Sequence, residues 1–156
     1  AKEKLDAFRH LLEIMEELRA KCPWDREQTM ESLRNLTIEE TYELADAILD
    51  QNLDEVRKEL GDLILHIVFY AKIGSEKGVF DIADVLNGIN SKLIFRHPHV
   101  FGDRKVKDSE EVIENWEELK MKEGNRSVLA GVPNSLPAMI KSHRIKFKFQ
   151  INLKIY

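Results

Sequence analysis

From Leu5 onward the apolar residues of this chain return every third or fourth position, and they do so over most of its 156 residues. That period belongs to helices that each bury one stripe, and it excludes a sheet as the main architecture. Leu5, Phe8, Leu11, Leu12, Met15 and Leu18 make the first stripe and predict a helix over 3–20. Lys21-Cys22-Pro23-Trp24-Asp25 interrupts it, because proline cannot continue the hydrogen-bond ladder. Thr37, with Glu40 three residues on, reads as a capping box opening a second helix that ends near Leu49. The polar turn Asp50-Gln51-Asn52 is short, so a third helix over 53–77 is expected to fold back antiparallel on the second, with Gly78 at its C-terminal cap. Further helices are predicted over 81–95, with Asp81 near the start, over 109–122 from Ser109, and over a shorter stretch within 134–144. Residues 96–106 contain proline and glycine without a period and read as loop. The last residues change character: Ile145, Phe147, Phe149, Ile151, Leu153 and Ile155 alternate with polar neighbours, which is a strand period. The expected organisation is one domain over 1–144 and a tail over 145–156 that is strand-like or disordered.

Hydrophobic residues make up 43% and charged residues 33% of the chain, a globular balance. The net charge of −4 and a pI near 5.8 argue against a nucleic-acid partner, which calls for a basic face. The apolar run over 63–71 is too short to span a bilayer, and residues 1–18 read as a charged amphipathic helix instead of a signal peptide. A single cysteine, Cys22, excludes an internal disulfide and fits a reducing compartment, so the cytoplasm is the expected location.

The chemistry-bearing residues are Glu39, Glu40 and Glu43 on the second predicted helix and Glu59 and Asp62 on the third. Glu40 and Glu43 are three apart and share a helix face, as do Glu59 and Asp62. Counted outward from the turn, Glu43 and Glu59 stand level, and Glu40 and Asp62 stand level one turn farther out. Four carboxylates therefore converge on one patch. A glutamate pair on a helix is ordinarily a solvated face, but the run after Asp62 is apolar on every side, which predicts a helix buried all round and puts Asp62 at the edge of a core. Like charges converging there repel and lose hydration. A divalent cation relieves both, and carboxylate-only ligation suits Mg²⁺, with Mn²⁺ as a substitute. Gly61 costs about 1 kcal/mol inside a helix relative to alanine, so a close approach of backbone or ligand is expected there. His66 falls on the same face but, within an apolar run, reads as a satisfied core residue. The second helix carries apolar residues on more than one face, Ile38, Tyr42 and Ala45 against Leu44 and Ile48, so a homodimer or dimer of dimers is expected.

Cys22-Pro23-Trp24-Asp25, Glu39-Glu40-Thr41-Tyr42-Glu43, Glu59-Leu60-Gly61-Asp62-Leu63 and Arg96-His97-Pro98-His99-Val100-Phe101, in this order, resemble the MazG type of the all-α nucleotide pyrophosphohydrolases. The resemblance runs from about Leu5 to Arg144. It implies an all-α helical bundle, built on an antiparallel helix hairpin and completed by oligomerisation, that hydrolyses nucleoside triphosphates between the α- and β-phosphates. By position it makes Glu40, Glu43, Glu59 and Asp62 the Mg²⁺ ligands, has Lys92 and Arg96 contact phosphate, and packs Trp116 against base or sugar. Glu39, beside the ligands, is the candidate base or a contributor to a second metal. His97 and His99 flank Pro98 and shape the pocket. Members of that family usually continue after Arg144 with a helical, alanine-rich segment, which the alternating tail does not match. Many also carry a second copy of the domain, and one copy is expected here. A di-iron carboxylate bundle is excluded, because no Glu-x-x-His occurs. The alternative is a non-catalytic helical module, a degenerate copy of the enzyme domain, which would be expected to have lost ligands first.

Overall fold

Eight helices make up the regular structure of the described residues, and no strand occurs among them. They are α1 (Lys2–Lys21), α2 (Pro23–Glu27), α3 (Met30–Leu49), α4 (Leu53–Glu76), α5 (Ile82–Arg96), α6 (Pro98–Phe101), α7 (Ser109–Lys122) and α8 (Ala138–Ile155). The structure, a computed structural model, describes residues 1–123 and 131–155, with side chains described up to residue 150. It divides into two compact units, Ala1–Asn87 and Gly88–Tyr156. No helix among the described residues is long and apolar enough to cross a membrane.

In the first unit the core is Met15 of α1, Leu33 of α3 and Val68, Phe69 and Ile73 of α4. Phe8, Leu11, Leu12, Leu36, Leu65 and Ile82 pack around it. The α3–α4 contact is the most extensive among the described residues. Between these helices Gln51 takes a left-handed backbone (φ 54°), and the Asn52 side chain caps α4 by accepting from Glu55 N at 3.2 Å. Both devices turn the chain within a few residues, as the polar triplet predicts. Arg19, at the end of α1, fastens α2. Its guanidinium donates to the carbonyls of Asp25, Arg26 and Gln28, pairs with Glu76 of α4, and lies 5.6 Å from the centre of the Phe69 ring.

Several expectations need correction. First, Thr37 does not open a helix. α3 begins at Met30 with Thr29 as its cap, in a reciprocal box where Thr29 Oγ1 accepts from Ser32 N and Ser32 Oγ accepts from Thr29 N. Second, Pro23 starts α2 from its first position, where a missing N–H costs nothing, so the interruption after α1 is itself helical. The loop at 96–106 likewise contains the short α6. Third, α4 is not buried all round in this chain: Leu60, Ile64 and Ile67 stay about half exposed, because only α1 and α3 make extensive contacts with it. Fourth, a Cβ at Gly61 would meet nothing within 4 Å, so no described residue makes the close approach expected there.

Glycine is required at Gly74 instead. A Cβ there would stand 2.7 Å from the Phe80 ring. Gly74→Ala is expected to displace that ring and cost about 1–3 kcal/mol, as overpacking of a filled core does. A urea midpoint equal to that of the parent would contradict this.

In the second unit α7 packs on α8, with Leu119 and Asn115 of α7 and Lys148 of α8 buried. The tail is a helix, not a strand: α8 begins at Ala138 and continues to Ile155. A strand there would need pairing partners, and no other described segment forms a strand to supply them. A helix satisfies its backbone locally. The two-residue alternation still leaves its mark, since on a helix it scatters apolar residues around the axis. Phe147 and Phe149 are exposed while Lys148 is buried, and burial holds the Lys148 ammonium below the usual lysine range. Tyr156, the last residue of that tail, lies outside the described residues.

Candidate metal centre

Glu40 and Glu43 project from α3 one turn apart, and Glu59 and Asp62 do the same on α4. The structure brings three of them together: Glu40, Glu43 and Glu59 each offer an oxygen, all lying within 4.8 Å of one another. Asp62 is outside that set but close enough for its charge to act on Glu40 and Glu59. Among the described residues no lysine or arginine pairs with any of the four.

The electrostatics register the crowding. Burial, followed by the charges of Asp62, Glu43, Glu59 and Glu39, holds the Glu40 carboxyl above the usual carboxylate range. Glu59 is only 9% exposed, and burial together with Glu43, Asp62 and Glu55 raises it too. Two mechanisms thus act in the same direction, lost hydration and like-charge repulsion, and a bound cation answers both. The spacing suits one. Oxygens bound to one octahedral ion at about 2.1 Å lie about 3.0 Å apart when adjacent and about 4.2 Å apart when opposite, so oxygens within 4.8 Å of one another would draw in to share it. Glu39 is exposed beside this group, and its charge reaches Glu40.

The second unit holds the other expected contacts. Lys92 is exposed on α5. Arg96 is paired with Glu123, its Nε donating to Oε2 at 3.1 Å and to Oε1 at 3.3 Å. That pairing holds the Glu123 carboxyl below its ordinary range. Trp116 packs edge-on against His97 with centroids 4.9 Å apart, and its indole N–H is buried without a hydrogen-bond partner. His97 donates from Nδ1 to Leu93 O at 2.6 Å, and its ring lies 5.6 Å from that of His99. Glu123 escaped the sequence reading because it follows the last apolar repeat of its helix, and nothing in the spacing links it to Arg96.

The MazG nucleotide pyrophosphohydrolase domain matches residues 28–101, which contain all four carboxylates. The chain is 44% identical over 143 residues to the nucleoside triphosphate pyrophosphohydrolase of Escherichia coli (strain K12), covering 87% of this chain and 54% of that protein. It is 43% identical over 144 residues to the nucleoside triphosphate pyrophosphohydrolase/pyrophosphatase MazG of Thermotoga maritima, covering 89% of this chain and 55% of that one. The chain therefore spans about half the length of the curated relatives it matches. The crystal structure of a mazG-related protein from Thermotoga maritima superposes with a TM-score of 0.63 at 29% identity, covering 72% of this chain and 98% of that one. By the domain match, residues 28–101 form a MazG nucleotide pyrophosphohydrolase domain, and the chain is similar to these relatives over most of its length.

Proposed function

We propose that this protein is a Mg²⁺-dependent enzyme that hydrolyses nucleoside triphosphates to nucleoside monophosphate and pyrophosphate, working in the cytoplasm as a homodimer or dimer of dimers. The observation that carries the reading is the trio Glu40, Glu43 and Glu59, whose oxygens lie within 4.8 Å of one another, with no lysine or arginine ion-paired to them among the described residues. Glu40, Glu43, Glu59 and Asp62 would hold Mg²⁺, or Mn²⁺ in its place. When bound, the ion supplies charge neutralisation for the triphosphate and makes a water more acidic. Lys92 and Arg96 would bind phosphate oxygens, Arg96 exchanging the Glu123 carboxylate for phosphate, an anion of similar hydrogen-bonding pattern. Trp116 would pack against base or sugar, and its unpartnered N–H leaves a donor for an acceptor there. Glu39, exposed beside the centre, would take the proton of the water that attacks the α-phosphorus as pyrophosphate leaves, or would serve a second metal. We read 1–144 as the part that carries this function.

The bundle is read as an antiparallel α3–α4 hairpin completed by a second copy of the chain. Contacts between the two helices support the hairpin, since Glu43 meets Glu59 near the turn and Thr37 meets His66 and Tyr70 farther from it. The exposed apolar residues Ile38, Tyr42 and Ile48 of α3 and Leu60, Ile64 and Ile67 of α4 support the second copy. Light scattering at micromolar concentration should give at least twice the chain mass, and a monomeric mass would sink this part. The activity is tested by a panel of nucleoside triphosphates assayed with Mg²⁺ and with EDTA. Pyrophosphate should appear only with the metal. Orthophosphate as the product would show that the bond cleaved is a different one, and turnover unaffected by EDTA would remove the metal from the reading. A non-catalytic module would release neither product.

A further inference from the structure

Three polar contacts meet at one oxygen in the α3–α4 contact. Thr37 Oγ1 lies 3.0 Å from the carbonyl of Leu33, 2.8 Å from His66 Nδ1 and 2.7 Å from the Tyr70 hydroxyl. A hydroxyl has one proton and two lone pairs. The Leu33 carbonyl can only accept, so the Thr37 proton goes to it. The lone pairs are left for His66 and Tyr70, and both of these must donate. His66 therefore carries its proton on Nδ1, and its Nε2 is a bare lone pair. The ring is 8% exposed, and burial, opposed by the charge of Asp62, lowers its pKa and favours this neutral form. Asp62 stands one turn earlier on the same face of α4. A carboxylate and a bare imidazole nitrogen both accept hydrogen bonds, so neither can serve the other. A donor that serves both would be a water molecule, free or held by a cation.

We propose that His66 is a positioning residue of the carboxylate centre: Thr37 and Tyr70 lock it in the Nδ1–H form, so that Nε2 accepts a hydrogen bond from the hydration shell of a divalent cation held by the carboxylates. The inference deepens the metal reading above and rests on it. It also accounts for a threonine in the middle of α3 that caps nothing. Its back-bond to Leu33 mildly disfavours the helix, yet it aligns the acceptor that orients the ring. Nε2 would not be a direct ligand, because Mg²⁺ prefers oxygen and keeps several of its waters.

The test is a long-range ¹H–¹⁵N spectrum of the uniformly labelled chain, with His66 assigned by its loss in His66→Gln, paired with Mg²⁺ calorimetry. Without metal, His66 should show a protonated Nδ1 and an unprotonated Nε2, and saturating Mg²⁺ should move the Nε2 resonance. Thr37→Val should release the ring to the other tautomer and weaken Mg²⁺ binding about tenfold, as loss of an outer partner of a metal site does. Thr37→Ser, which keeps the hydroxyl, should restore both. A proton on Nε2 in the parent chain would overturn the proposal. So would an unmoved Nε2 while calorimetry records Mg²⁺ binding, and that result would leave the carboxylate site standing. Absence of any Mg²⁺ binding would sink the metal reading and this inference together.

Discussion

Glu59→Gln is expected to cut pyrophosphate release by about a hundredfold or more, the scale seen when one preorganised electrostatic contact is removed. The same change should stabilise the protein in EDTA. Glu59 is the most buried of the carboxylates, and its oxygen stands within 4.8 Å of those of Glu40 and Glu43. Glutamine keeps the size and removes the charge, so without metal the repulsion falls. The pH dependence follows from the raised pKa values of Glu40 and Glu59. A carboxyl raised in the folded state contributes stability that is fully present below the ordinary glutamate range. That contribution is lost as pH rises through the folded value. The melting temperature in EDTA should therefore carry a falling component as pH climbs above the ordinary range, and Glu59→Gln should reduce it. Saturating Mg²⁺ should reverse the ranking, because an ion bound only by the native state stabilises in proportion to its affinity. Asp62→Asn should act in the same direction with a smaller metal effect, since Asp62 stands outside the close trio. Identical melting curves for parent and Glu59→Gln in EDTA and in Mg²⁺, with turnover intact, would remove Glu59 from the site.

The largest loss of stability is expected at Arg19. Its side chain is 11% exposed, donates to three carbonyls of the 25–28 segment and pairs with Glu76, which is itself 36% exposed. Arg19→Met keeps the apolar stem on Phe69 and removes every donor. A fully buried pair broken on one side costs about 3–5 kcal/mol. With Glu76 partly in water, the expectation here is about 2–4 kcal/mol. Arg19→Lys should recover less than half, because one ammonium cannot reproduce a planar fork that serves the Glu76 carboxylate and the carbonyls at once. The hydrogen bond from Arg19 holds the Glu76 carboxyl below its ordinary range. The pair's contribution is therefore complete above that range and is lost as pH falls through the lowered value. Urea unfolding of both variants at neutral pH and under acid conditions measures this. A midpoint unmoved by Arg19→Met would show that the 25–28 segment holds its place without the guanidinium.

The sequence by itself determined α1, α4, α5, α7 and the carboxylate pairs, because helices and pairs both depend on neighbours within four residues. An amphipathic period fixes which residues share a stripe, and Glu40 with Glu43, or Glu59 with Asp62, share a face wherever the helix goes. Counting outward from the Gln51–Asn52 turn also places Glu43 level with Glu59, since rise per residue is constant and the turn is short. What lay beyond reach of the spacing depended on partners distant in the chain. Thr37 matches the first residue of a capping box, yet Thr29 caps α3 and Thr37 is spent on His66 and Tyr70 across the helix pair. The tail alternates like a strand, yet with no strand among the described residues to pair with, its backbone bonds close locally and α8 forms. The apolar run of α4 suggested burial on every side, but a helix is covered only where another element reaches it, and among the described residues Leu60, Ile64 and Ile67 stay about half exposed. The ion pair of Arg96 with Glu123, like the grip of Arg19 on Glu76, joins residues with no periodic relation. Charges attract through space regardless of their separation along the chain, so only the tertiary structure could decide which ones met.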